Sequence, residues 1–338
     1  MTLLSSPRAA RLGRVGVAVA ITLAVVAAMI LAMGVDPIAA FVAIGQGVVG
    51  SPFTLGQTIS IAGVLVLMGL AVLIPFKARL FNVGGEGQLF IGAIGTVAVA
   101  LTLGDTPITI PLALVAGVAG GVFWALIPGL LRALLGASEM IVSLLLNFVA
   151  TLAAAYVISF VFPDTTGQAT SMIDRAVRLP VIWAAGSVNV GLIIIAVVAL
   201  AAWVMMSKTR LGFGIRAIGM NPDASVLAGF SPRSTTVLTF VMAGACSGLA
   251  GAVLVLGTAG QLNQGISSGY GFLGVVVALL AGARVAWVPL AALFIAALTV
   301  GSNRLQLAVD LPFSMGIIVV GVLVLTLLAT RVITIRRG

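Results

Sequence analysis

The sequence predicts an all-α fold, a polytopic transmembrane helical bundle of about ten spans with both termini cytoplasmic. Three observations carry that expectation. Of 338 residues, 61% are hydrophobic and 7% charged, with a mean hydropathy of +1.29, too few charges to solvate a folded domain of this length. The apolar residues form continuous runs of about 17–25, not alternating segments of about ten, which suits helices and not a barrel. Lysine and arginine also segregate by loop, as the positive-inside rule requires.

In chain order the expected spans are Val15–Met33, Ile59–Phe76, Leu89–Leu103, Ile108–Leu131, Ile141–Phe162, Val190–Met206, Val237–Leu256, Phe272–Ala283, Trp287–Gly301 and Phe313–Ala329. The first follows Arg8, Arg11 and Arg14 and is too long for a signal-peptide core, so it reads as a retained span. With the N-terminus inside, Lys77, Arg79, Arg132, Lys208, Arg210, Arg216, Arg233, Arg284, Arg331, Arg336 and Arg337 fall inside as well. Arg175, Arg178, Arg304 and most of the acids fall outside. No linker interrupts the series, so residues 1–338 read as a single transmembrane domain in a cell (inner) membrane. The net charge of +9 reflects basic loops against an anionic leaflet and not a nucleic-acid partner.

Two loops are long. Residues 163–187 form the external one, with Asp164, Asp174, Arg175, Arg178 and Trp183, and lie flat on the outer surface, meet an external partner or stay a solvated loop. Residues 207–236 form the cytoplasmic one. Within it Asn221, Pro222 and Asp223 mark a helix start through a side-chain cap, a fixed φ and a dipole-matched charge. Gly229 then fits a stop, followed by a second start at Ser231-Pro232. The expected product is a short amphipathic helix, Pro222–Ala228, that needs a partner or a lipid surface for its apolar side.

Phe81-Asn82-Val83-Gly84-Gly85-Glu86-Gly87-Gln88 lies between two apolar runs and is the most unusual stretch. A carboxylate there is costly unless it faces water, protein or a cavity. Irregular polar backbone at membrane depth is likewise tolerated only where protein or a passage covers it. Asn82, Glu86 and Gln88 are therefore candidates for a translocation path. Ser143 and Asn147 join them, four apart on one helical face with Glu139 a further four back, while Ser138 and Glu139 can cap that helix. Interhelical hydrogen bonding alone is the competing role for this stripe. Gln261, Asn263, Gln264, Ser267 and Ser268 form an uncharged patch that suits a neutral polar solute, with Gln261 a path candidate. The small-residue pairs Gly117/Gly121, Gly244/Gly248 and Gly265/Gly269 read as helix-packing positions.

Much is excluded. Histidine is absent, and with it histidine-based acid–base chemistry and the usual zinc motifs. Cys246 is the sole cysteine, so no internal disulfide forms. Lys77 and Lys208 lie outside any phosphate-loop context, so the chain does not hydrolyse ATP by itself. No nucleophile elbow or paired-acid constellation occurs, and no cofactor, metal or catalytic residue is expected.

Four segments in order resemble one family. Phe81-Asn82-Val83-Gly84-Gly85-Glu86-Gly87-Gln88 followed by Ile91-Gly92-Ala93 is similar to the "FNIGxEGQ…iGA" signature of ABC-importer permeases of the nucleoside (purine/simple-sugar) type, within the branched-chain amino acid and ribose permease superfamily. Glu139–Asn147 resembles its "E-x-I-V-x-x-x-L-N" helix, Arg216–Gly229 its "R-A-x-G-x-N-x-x-A-A…G" segment, and Gly269–Leu280 its "G-x-G-F-x-G-I-A-V-A-L-L" run. The departures are Gly85, Pro222 and Ser225. The resemblance implies an importer subunit that forms the path with a second homologous permease. Two ATP-binding subunits and an extracytoplasmic solute-binding protein would complete the assembly. It also implies coupling to the ATPase through Arg216, Gly219, Asn221, Pro222, Ala224 and Gly229. A sugar or branched-chain amino acid permease of the same class is the nearest alternative. An ion-coupled secondary transporter is the more distant one, and should show ionisable residues at mid-membrane in repeated halves.

Overall fold

The computed structural model describes residues 34–282 and 284–309 continuously, together with 20, 21, 24–28, 30–32, 318, 321 and 322. The helices are α1 (Pro37–Val49), α2 (Pro52–Lys77), α3 (Gly85–Leu103), α4 (Thr109–Leu135), α5 (Glu139–Tyr156), α6 (Gly191–Lys208), α7 (Arg210–Met220), α8 (Pro222–Leu227), α9 (Pro232–Val253), α10 (Tyr270–Leu280) and α11 (Val288–Val309). Single π-helical stretches extend α5 over Val157–Val161 and α9 over Leu254–Ala259. Among the described residues seven helices are long and apolar enough to cross a membrane, or eight if Ala24–Ala32 and α1, which meet at 111°, form one broken span. The expected span Phe313–Ala329 lies largely outside the described residues, and Val15–Met33 about half outside them.

Two differences from expectation have a common cause. No span is expected between Met33 and Ile59, yet α1 forms there, started by Asp36, whose carboxylate accepts from the Ile38 N–H at 2.9 Å, and by Pro37. The eighth expected span is α10, only 11 residues long. At 1.5 Å per residue it covers about 16 Å, roughly half a hydrocarbon core. Apolar composition marks such segments as buried but does not fix whether they cross.

The chain divides into two units. One comprises residues 1–58 and 295–338; in it Val26, Ile30, Ala40 and Ala43 pack with Ile44, Leu298 and Val322. The other, Ile59–Phe294, contains every candidate site residue discussed below. In it α2 and α9 are mostly buried, whereas less than a third of α4, α5 and α6 is. Helices α4 and α9 meet through facing glycines. A Cβ on Gly121 would strike the Gly244 carbonyl and approach the Gly248 Cα to 2.6 Å, and Gly92 of α3 abuts Gly248 and the Gly117 carbonyl. Two of the three expected packing pairs thus bring backbones together. Gly265/Gly269 does not; it lies in the turn before α10, where Gly269 has φ +75°.

Because no side chain can yield at that contact, Gly121→Leu should destabilise the fold by about 3 kcal/mol or more. Gly45→Ala, where a Cβ meets nothing within 4 Å, should be near neutral. Thermal unfolding of the two variants in detergent measures the difference.

Residues 163–187 are not a free loop. Thr170, Ile173 and Leu179 donate backbone hydrogen bonds to the carbonyls of Leu262 (2.8 Å), Gly260 (2.8 Å) and Leu256 (3.0 Å). Strand β1 (Val181–Trp183) pairs antiparallel with β2 (Val188–Asn189), and the Asn189 amide donates to the Gly257 carbonyl at 2.8 Å. The segment is laced onto the end of α9.

Candidate functional site

The chain breaks between α2 and α3, and the amides at the break have defined partners. Asn82 and Gln88, both almost fully buried, exchange amide hydrogen bonds of 3.1 and 2.9 Å. Asn82 also donates to the Ala71 carbonyl of α2 (3.2 Å) and accepts from the Gly84 N–H (3.2 Å). These two amides replace the ladder that the break interrupts, as unpaired amides at this depth would be costly. They hold the turn.

From the other side α5 presents the expected stripe, with Glu139, Ser143 and Asn147 all buried. Asn147 accepts from the Gly87 N–H (2.9 Å) and donates to the Val83 carbonyl (3.0 Å), so its amide caps the first turn of α3. Ser143 turns back onto the Glu139 carbonyl. Ser138 occupies the N-cap position of α5 but makes no side-chain cap, contrary to expectation. Glu139 is drawn elsewhere: its carboxylate accepts from the Phe81 N–H at 3.2 Å and pairs with Arg132 at 3.3 Å. A buried charge is more stable with a cation and a backbone donor than at a solvated cap.

Glu86 is directed away from this network, to the start of α10. Its carboxylate accepts from the Ser267 hydroxyl and from the Gly271 N–H, the latter at 2.8 Å. A short helix ending inside the protein leaves N–H groups unsatisfied and a positive dipole end, and a carboxylate answers both. The approach demands glycine at 271, where a Cβ would collide with the backbone and carboxylate of Glu86.

Beside this contact is a chamber of about 290 Å³. Glu86, Asn147, Thr151, Gln264, Ser267 and Ser268 give it polar groups, and Phe90, Phe148 and Phe272 give it aromatic walls. Of the six path candidates, the structure brings Glu86 and Asn147 to this chamber. Asn82, Gln88 and Ser143 belong to the buried network behind it, and Gln261 lies in the turn after α9, outside the walls. Thr151 escaped the sequence reading although it continues the stripe one turn beyond Asn147, to whose carbonyl it donates at 3.0 Å. The phenylalanines escaped it because aromatic residues in apolar spans look like ordinary packing.

The second region is the segment between α6 and α9. As expected, Asn221 caps α8 by accepting from the Ala224 N–H (3.1 Å), Pro222 takes the first position and Gly229 has φ +83°. Ser231 and Pro232 start α9. The structure adds α7, which the sequence reading left as loop; its glycines at 212, 214 and 219 conceal a helix because they favour close packing over propensity. A Cβ at Gly219 would strike the Lys77 carbonyl and one at Gly214 would meet the Phe230 ring at 2.5 Å. Arg216 donates to the Met206 carbonyl. This fixes α7 against the end of α2 and leaves α8 outward, with all of it exposed except Ser225.

A bundle of apolar helices with a chamber lined by polar and aromatic groups and a short exposed helix has the features of a membrane permease. A family model described as branched-chain amino acid transport system / permease component matches residues 54–328. A nucleoside ABC transporter permease protein of Lactococcus lactis subsp. cremoris is 35% identical over 289 residues, 82% of this chain and 79% of its own. A glucose ABC transporter permease protein of Haloferax volcanii is 34% identical over 322 residues, 91% and 85% of the two chains. A guanosine ABC transporter permease protein of Bacillus subtilis is 32% identical over 328 residues, 95% and 94%. No solved structure matches the chain. The chain belongs to this family of ABC transporter permease components: it is a multi-pass membrane transport subunit and not an enzyme.

Proposed function

We propose that the protein is the permease subunit of an ATP-driven importer for nucleosides. The observation that carries the substrate class is the composition of the chamber, where amides and hydroxyls, with the Glu86 carboxylate tied to Ser267 and Gly271, stand beside three phenylalanine rings. A nucleoside needs such a mixture, with rings to stack on its base and neutral donors and acceptors for base and ribose. Two relatives that are nucleoside and guanosine permeases by name support the same class. The glucose permease of Haloferax volcanii favours a sugar as the second reading.

In this reading residues 1–338 act as one permease domain of about ten spans with both termini cytoplasmic, supported by the distribution of Lys and Arg. Residues 163–187 face outward toward a solute-binding protein, and 207–236 face the ATPase. A second homologous permease completes the path, of which Glu86 and Asn147 form this chain's polar wall. Arg216, Gly219, Asn221, Pro222, Ala224 and Gly229 build and present the coupling helix, whose displacement on ATP binding switches the path.

The test is a gentle-detergent pull-down of the tagged protein followed by uptake in liposomes. The expected result is co-recovery of an ATP-binding subunit and a second permease, with ATP-dependent uptake of labelled guanosine or uridine that unlabelled nucleosides compete and glucose does not. Competition by glucose alone would move the substrate to sugars. A solitary protein transporting on an ion gradient would overturn the class.

A further inference from the structure

A second cavity, of about 580 Å³, has no place in the reading above. It is a groove along α2 from Ile59 to Leu70, walled by α6 from Leu192 to Trp203 and by the start of α11, and its lining side chains carry no charge. The eleven-residue rise from Ile59 to Leu70 is about 16 Å, close to the depth of one leaflet of a core about 30 Å thick. Water has nothing to bond to along such walls, so the groove suits a hydrocarbon chain.

The end of the groove nearer Leu70 leads to a group of cations. Lys77 is the last residue of α2, and exposed Arg284 directly precedes Val285 of the groove wall. Arg216 lies on α7, which is seated against the Lys77 carbonyl through Gly219. Both arginines are near enough to Lys77 to act on its ammonium group electrostatically. Among the described residues the only ion pair is Arg132 with Glu139, so no carboxylate neutralises the three. Like charges assembled without a counter-ion call for an anion. Lys77 stands about 10 Å beyond Leu70 along the helix, room for a glycerol backbone between phosphate and chain.

We propose that groove and cations form a binding site for one anionic phospholipid. Its phosphate lies between Lys77 and Arg284, and one acyl chain runs along α2 from Leu70 toward Ile59. Phosphate charge matches the cations, chain length matches the groove, and the aromatic ring of Trp203 stands at the groove wall.

The full-length protein in neutral detergent, offered equimolar phosphatidylglycerol and phosphatidylcholine of one chain length, tests this by native mass spectrometry of retained lipid. One phosphatidylglycerol should be retained at least about tenfold in preference, with the preference falling about fivefold for each of Lys77→Gln and Arg284→Gln. Ala199→Trp, which fills the groove, should reduce retention of both lipids. Equal retention of the two lipids by the unaltered protein overturns the proposal, as does undiminished retention in Ala199→Trp. Unchanged lipid preference in the Lys77 and Arg284 variants with loss of a co-purifying ATP-binding subunit also overturns it, assigning the cations to a protein partner.

Discussion

Replacing Ala224 and Leu227 together by aspartate is expected to lower recovery of the ATP-binding subunit at least a hundredfold while the chain still inserts in the membrane. Leu227 is the most exposed large hydrophobic residue described, at 92%, and Val226 and Met220 beside it are more than half exposed. In the proposed coupling role an apolar group so placed is an interface anchor, and losing an anchor costs about 2 kcal/mol or more. Two carboxylates that would be buried unpaired add to that, so about 2.7 kcal/mol, a hundredfold, is a conservative sum. The helix itself should survive. Its geometry depends on Asn221, Pro222 and Gly229, and an aspartate at 224 lies in the first turn, where the dipole favours it. Co-purification from solubilised membranes, with membrane insertion checked by carbonate extraction, measures both halves. Undiminished recovery of the ATPase would take the coupling role away from α8.

Glu86→Ala is expected to leave an assembled complex whose uptake falls at least tenfold, with Glu86→Gln intermediate. The carboxylate joins the start of α3 to the start of α10 through Ser267 and Gly271, and it also borders the chamber. Alanine removes the acceptor and leaves the α10 N-terminus to water; glutamine restores one acceptor oxygen without the charge that matches the dipole. The expected loss corresponds to about 1.4 kcal/mol, within the usual range for a charged hydrogen bond. Assembly should persist because the turn between α2 and α3 is held independently by Asn82, Gln88 and Asn147. Uptake per assembled complex, normalised to recovered ATPase, is the measurement. Transport at the normal rate in Glu86→Gln would confine Glu86 to a structural tie.

The amino-acid sequence by itself determined a good deal. Apolar run length made the chain helical and membrane-spanning, because a bilayer core admits little else. Asn221-Pro222-Asp223 and Gly229 located α8 through purely local chemistry, a cap, a fixed φ and a left-handed stop. The 139/143/147 spacing identified an inward face, since a helix repeat needs no partner to define it. Glu86 stood out because charge at such a boundary is expensive wherever it ends up.

Tertiary structure decided the rest. Whether Asn82 and Glu86, four residues apart, serve the same purpose depends on which partners arrive from elsewhere in the chain. Asn82 finds Ala71 and Gln88 on the two helices flanking its own break, while Glu86 finds Ser267 and Gly271, more than 180 residues away. The shortness of α10 follows from the turn and positive-φ glycine before it, and α7 is fixed by glycine contacts with α2. Long-range polar pairing has no sequence period, and a small-residue spacing marks a close approach without naming the partner, so only the folded chain could reveal which groups meet.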